Sequence, residues 1–389
     1  MKGDRDFNFD EVIKLEDASS AKWEKYRGRD IIPLWLADMD FRSPPAVIEA
    51  LQRRVEEGVF GYPAVPRELV DTVLSMLLRA YGWQVEPEWL VWLPGLVTGL
   101  NIICRAAAAQ GEEVLTAVPV YPPFLSAPRL SERLLATVPL AREGDSWTWD
   151  FDRLEAAISP RTRVFLLCNP HNPVGRVYSR NELTRLAEIC DRHNLTICSD
   201  EIHCDLILDP DKVHVPLASL DPATARRTVT FMAPSKTYNL PGLGCAFAII
   251  AEEGLRQKFK ATMAGIVPGV SIMGYVACLA AYRDSSAWLT ALLDYLRGNR
   301  DLVETAINQM PGLAMSRVEA TYLSWIDARG AGIGEPVKFF ERAGVGLGDG
   351  AAFGGPGFVR LSFACPRSRL LEALTRMRSA IEKHSRDLS

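Results

Sequence analysis

Residues 164–200 read VFLLCNPHNPVGRVYSRNELTRLAEICDRHNLTICSD, and the fold follows from them. Val164 to Cys168 is a short apolar run that ends in the turn Asn169-Pro170-His171-Asn172-Pro173-Val174-Gly175. Ser179, with Glu182 three residues on, forms a capping box that opens a helix, and Leu183, Leu186, Ala187 and Cys190 fall on one helical face. The chain returns through a second short apolar run, Leu195 to Cys198. Strand, helix and strand at this spacing predict a parallel sheet, whose ligands bind beyond the carboxyl ends of the strands. Asp200 and the 169–175 turn both lie at that edge.

Outward in both directions, more segments lead to the same edge. Thr228 to Met232 is another candidate strand, and the run Ala233-Pro234-Ser235-Lys236-Thr237-Tyr238-Asn239-Leu240-Pro241-Gly242-Leu243-Gly244 follows it. Val91-Trp92-Leu93 leads through Pro94-Gly95-Leu96-Val97-Thr98-Gly99 into a helical run at Leu100 to Ala109, and helix N-termini bind phosphate. Val114 to Ala117 leads to Tyr121, whose ring would suit stacking on a flat heterocycle. From Ser286 a long helix is expected, with Pro311-Gly312 as its stop. After it come a strand at Tyr322 to Ile326, a helix near Val337 to Ala343, a glycine-rich turn at 348–357, a strand at Phe358 to Phe363 and a last helix from Ser368. The expected class is therefore α/β: a large unit, 30–286, with a mostly parallel sheet, and a smaller α+β unit made of 1–29 and 287–389.

Bulk properties narrow the function. A chain of 389 residues with 48% apolar content has ample material for a packed core. The start, with Lys2, Asp4, Arg5 and Asp6, lacks the order of a signal peptide, and a cytoplasmic location is expected. The eight cysteines are scattered without metal or disulfide spacing, and no metal site is expected, the run Asp200 to Cys204 included. A net charge of −4 with mixed signs excludes a phosphate-neutralising stripe, so neither nucleic acid nor membrane is an expected partner.

A lysine in a Ser/Pro-rich turn is by default a solvated cation. Lys236 gains meaning from its company. A partly desolvated amine traps carbonyls, and an aspartate one strand away can keep a pyridinium nitrogen charged, a pairing that points to pyridoxal phosphate. Asn172, with His203 assisting, would reach the cofactor's phenolic oxygen, although turn formation and core packing are their ordinary roles. Arg360 interrupts the apolar strand 357–363 and suits bidentate capture of an amino-acid carboxylate.

With these residues in hand, the chain resembles the fold type I pyridoxal-phosphate enzymes of the class I/II aminotransferase superfamily. More narrowly it resembles their cystathionine β-lyase, or carbon-sulfur lyase, branch. The likeness rests on seven ordered stretches: Lys22-Trp23, Trp35 to Phe41, Gly58 to Tyr62, Asn169 to Gly175, Ser199 to His203, Ser235 to Leu243 and Phe358 to Pro366. It implies that Lys236 carries the cofactor and moves the substrate's α-proton, that Asp200 pairs with the ring nitrogen and that Tyr121 stacks on the ring. It further implies phosphate contacts from Val97, Thr98 and Ser235, and from Tyr62 of a neighbouring subunit, hence a homodimer. Arg360 with the Ala37-Asp38 backbone would hold the substrate carboxylate. β-Elimination on a cysteine-type amino acid is the implied reaction. Transamination would use the same residues, and a cofactor-binding regulatory protein without turnover is the rival of another class. Two positions depart from many relatives, Ala233 where they carry serine and Gly244 where they carry arginine, both serving the phosphate. Leu15-Glu16 likewise stands where lyase relatives often carry a basic pair.

Overall fold

A computed structural model describes residues 7–15 and 19–388. The charged start at 1–6 and Glu16 lie outside the described residues. The central sheet has seven strands: β1 (Leu90–Leu93), β2 (Glu113–Val118), β3 (Leu134–Pro139), β4 (Thr162–Cys168), β5 (Thr196–Asp200), β6 (Thr228–Met232) and β7 (Ala246–Ile250). Their spatial order is β1-β7-β6-β5-β4-β2-β3; β7 runs antiparallel to both neighbours and the other pairings are parallel. The interior strands β4, β6 and β7 are almost wholly buried and rich in Val, Ile, Leu and Phe, as a sheet covered on both faces requires, whereas only Val138 of the edge strand β3 is buried.

The decisive segment folds as expected. The helix between β4 and β5 is Arg180–Arg192, and Ser179 and Glu182 form both arms of the capping box. In register, Cys168 lies opposite Asp200, and Asp200 opposite Phe231, so β4, β5 and β6 end level with one another. That alignment brings the 169–175 turn, Asp200 and the lysine loop to one edge.

One boundary moves. The helix expected from Leu100 spans Leu96–Ala107, so Gly99 sits inside it rather than in a turn. A Cβ at Gly99 would come within 2.7 Å of the Phe231 ring. Glycine is there for close packing of helix on sheet, which local sequence does not reveal.

The long helix is Ser286–Asn308, followed by a four-stranded antiparallel sheet made of β8 (Ala314–Met315), β9 (Leu323–Asp327), β10 (Gly348–Asp349) and β11 (Phe358–Ser362), in the order β8-β9-β11-β10. The last helix is Arg367–Leu388. The glycine-rich stretch 348–357 is more ordered than a turn, holding β10 and a 3₁₀ turn at Gly350–Phe353. These elements share one apolar core with Phe9, Leu34, Met39 and Phe41 from the start of the chain. All eight cysteines are buried and unpaired. Among the described residues no helix is long and apolar enough to cross a membrane.

Candidate active site

Beyond the carboxyl ends of β4, β5 and β6 lies a cavity of about 240 Å³. Asp200, Asn172, His203, Tyr121, Ser235, Lys236, Val97, Thr98, Ala37 and Arg360 all line it. Two of the expected residues stand apart. Asp38 turns its side chain toward Lys22, with which it forms an ion pair at 3.3 Å, and Tyr62 is fully exposed on the irregular stretch 59–66.

The Lys236 Nζ donates to the Ala37 carbonyl at 2.6 Å. Burial lowers this amine to about 8; Arg360 acts the same way, while Asp38 and Asp200 oppose it. Near neutrality such an amine is a base within reach of its neutral form. Asp200 is pushed the other way, up to about 7, chiefly by burial, with Glu201 adding and the Ile202 N–H and Lys236 resisting. Its Oδ1 accepts from the Ile202 N–H at 3.1 Å. A buried carboxyl of this kind is stable as an anion only when a cation faces it.

His203 is buried, lowered to about 3 by burial, Lys236 and Arg360, and therefore neutral. Among the described residues its Nδ1 has no hydrogen-bond partner. Arg360, on the interior strand β11 rather than at an edge, donates from Nη1 to Asn172 Oδ1 at 3.0 Å and from Nη2 to the Trp35 carbonyl at 2.9 Å. Each terminal nitrogen retains a second hydrogen, which leaves a two-pronged donor for a carboxylate. Tyr121 borders the same space, its hydroxyl held protonated mainly by burial.

The chain's own atoms fit pyridoxal phosphate. The helix Leu96–Ala107 begins at the cavity wall, so the N–H groups of its first turn have no intrahelical acceptor, as an anion requires. The orphaned His203 Nδ1 stands ready for a polar ring substituent, and among the described residues Lys236 is the cation that acts on Asp200. Gly244 adopts φ +57°, and a Cβ there would meet the Pro94 carbonyl at 3.1 Å. Local backbone therefore discourages a side chain where the resemblance would place arginine.

Several participants were not singled out from sequence. The Tyr322 hydroxyl donates to the Ala37 carbonyl at 3.1 Å, sharing that acceptor with Lys236. Asn239, at φ +56°, donates to the Met39 and Phe41 carbonyls and accepts from the Met39 N–H. An asparagine ahead of Leu-Pro-Gly is a recognisable candidate for a left-handed turn, so its conformation was legible; its partners two hundred residues away were not.

The family model for aminotransferase class I and II matches residues 29–377. Cystathionine beta-lyase PatB of Bacillus subtilis (strain 168) is 36% identical, over 96% of this chain and all of that protein. The crystal structure of OvoB superposes with a TM-score of 0.95 at 46% identity, covering 96% of this chain and 99% of that one. Cystalysin from Treponema denticola, solved with a pyridoxal 5'-phosphate cofactor, superposes with a TM-score of 0.93 at 31% identity, covering 97% and 99%.

Proposed function

The chain belongs to the aminotransferase class I and II family, and from that premise we propose that it is a carbon-sulfur β-lyase acting on cysteine-type amino acids. It is an enzyme, and its cofactor is pyridoxal 5'-phosphate. The observation that carries the reading is the meeting of Lys236, Asp200 and Arg360 in one cavity, in a chain whose full-length relatives include a cystathionine beta-lyase.

When bound, the cofactor supplies an electron sink for the bond broken beside the substrate's amine. The residues divide the remaining work. The helix N-terminus at Val97 and Thr98, with Ser235, would hold the phosphate. Asp200 would keep the ring nitrogen's proton, Asn172 and His203 would meet the ring hydroxyl, and Tyr121 would cover the ring face. Arg360 would hold the substrate carboxylate beside the Ala37-Asp38 backbone, which fixes the Cα–H bond toward Lys236. The neutral Lys236 amine takes that proton, and the thiolate departs from Cβ. Hydrolysis of the remaining enamine gives pyruvate and ammonia.

Transamination is the second reading, because the same residues would serve it equally. Cystathionine supplied without an oxo acid separates them. Pyruvate, ammonia and free thiol in many turnovers support the lyase. A single stoichiometric conversion to pyridoxamine phosphate without pyruvate supports the transaminase. No turnover across sulfur and aromatic amino acids, with the cofactor still bound to Lys236, would instead favour a regulatory role.

Assembly and place follow as parts of the same reading. Tyr62, Phe60 and Val59 are exposed apolar or aromatic side chains on one stretch. A second copy receiving Tyr62 at its phosphate would explain them and make the enzyme a homodimer. The chain is read as a large unit, 30–286, and a small unit, 1–29 with 287–389, working in the cytoplasm.

A further inference from the structure

Arg360 is a buried cation whose hydrogen bonds go to neutral groups. It is 4% exposed, and its two acceptors are Asn172 Oδ1 and the Trp35 carbonyl, with no carboxylate among the described residues paired to it. Its Nε finds no acceptor among those residues either. Burial lowers the guanidinium to about 10, against the Tyr121 and Tyr322 hydroxyls, so it stays charged near neutrality. A charge held in so dry a place needs compensation from something. The ring of Phe353 is in position to give it: the guanidinium carbon stands 4.6 Å from the ring centroid.

The glycine-rich stretch explains how that ring arrives there. Asp349 opens the 3₁₀ turn Gly350–Phe353, its side chain accepting the Ala351 N–H at 3.0 Å, and Gly354 closes it at φ +85°. The Phe353 carbonyl then accepts the Val120 N–H at 2.9 Å, one residue before Tyr121. On the other side the Phe353 ring meets Trp325 at 5.6 Å, and Trp325 stacks on Phe358 at 5.1 Å with 7° between the planes. Trp325 is the register partner of Arg360 in the β9–β11 pair. A Cβ at Gly354 would stand 3.2 Å from Val118, and one at Gly355 would stand 2.6 Å from Trp325. Glycine at both positions lets the turn press close to each sheet, so the ring is fixed from the large sheet and the small one together.

We propose that Phe353 is a positioning residue for substrate recognition: its ring face carries the Arg360 guanidinium in place of a protein carboxylate, which leaves the two-pronged edge open for the carboxylate of the substrate. This rests on the proposed function, in which Arg360 holds that carboxylate. An aromatic face attracts a cation through its quadrupole and takes none of its N–H groups. An aspartate or glutamate in the same place would occupy the edge itself. Phe353 does not line the cavity, so it acts through Arg360 and not on the substrate.

The test compares an acid with its amide. S-methyl-L-cysteine and its α-carboxamide are each mixed with the cofactor-loaded full-length chain, and the concentration giving half the change in cofactor absorbance is read within the first turnover. Wild type should favour the acid. Replacing Phe353 by a trifluorinated phenylalanine keeps the shape of the ring and drains negative charge from its face. It should reduce the preference for the acid about five- to thirtyfold, with the amide almost unmoved. Phe353→Leu should do the same. Equal weakening toward acid and amide would make Phe353 a packing residue and overturn the proposal, as would a fluorinated protein that matches wild type. If Phe353→Leu does not fold, the fluorinated protein decides alone. A wild type that answers both compounds alike, or neither, removes Arg360 from the carboxylate and sinks the underlying reading as well; a wild type that favours the acid keeps that reading whatever the ring does.

Discussion

The floor and the roof of the cavity are built by different kinds of contact. The floor is Asp200, Asn172 and the lysine loop, delivered by the ends of three adjacent parallel strands within about seventy residues of chain. The roof is the 35–38 segment with Arg360 and Tyr322, assembled from hydrogen bonds that span 199, 285 and 325 residues. Floor residues sit where a sheet must put them. Roof residues meet only because the small sheet packs over the large one, so the two regions should respond differently to substitution.

The largest effect is expected on the floor. Lys236→Ala should reduce turnover about ten-thousand-fold or more, since it removes the residue proposed as both covalent anchor and base. Reduction with borohydride should then leave residue 236 and every other lysine unlabelled. The fold should survive, because the amine's one hydrogen bond is to a carbonyl that Tyr322 also serves.

Asp200→Asn comes next and should divide function from stability. Turnover should fall about a hundred- to a thousand-fold as the ring nitrogen loses its counter-charge. The cofactor-free variant should nevertheless be more stable than wild type at neutral and higher pH. Asp200 keeps its proton to about 7 in the fold, whereas the unfolded carboxyl releases it near 3.8. Between those values the folded state holds the extra proton, so stability falls as pH rises through the window, and the loss is complete above it. Asparagine removes that loss, about 4 kcal/mol. Thermal midpoints at pH 4 and pH 8 check this; wild type and variant differing equally at both would contradict it.

On the roof, Arg360→Lys should lower kcat/KM about ten- to a hundred-fold, because a point charge replaces a two-pronged donor. Most of the change should fall on KM. An amine substrate lacking the carboxylate should be processed equally by both proteins, and a parallel loss with that substrate would place Arg360 elsewhere in the reaction.

This division also marks what the sequence could tell. Thr228–Met232 was legible to the residue, and the helix at Arg180–Arg192 to its cap, because both depend on neighbours within a few positions. The start of the helix at Leu96 was not, since Gly99 answers to Phe231, more than a hundred residues on. Arg360 stood out as a cation in an apolar strand, yet its placement on an interior strand, bonded to Asn172 and Trp35, depends on sheet order. The pairing of Lys22 with Asp38 and Asp40 was visible only as a recurring Lys-Trp pair. Charge pairing between residues 22, 38, 40 and 369 has no periodic signature.

The smallest effect concerns the phosphate end, where floor and helix meet. Ala233 lines the cavity and is buried, so Ala233→Ser adds one hydroxyl that can donate to a phosphate oxygen without new volume to accommodate beyond an oxygen atom. Cofactor retention should tighten about three- to tenfold, the value of one added hydrogen bond to a charged acceptor. Gly244→Arg should not match it, although arginine carries the larger charge. At φ +57°, with the Pro94 carbonyl 3.1 Å from where a Cβ would stand, the backbone must shift before the guanidinium can act, and the shift disturbs the very turn that begins the helix proposed to hold the phosphate. Dissociation measured by dialysis against a cofactor trap ranks the two variants. Tighter retention by Gly244→Arg than by Ala233→Ser would mean that charge outweighs backbone geometry at this end of the cavity, and that the floor is less rigid than its strands suggest.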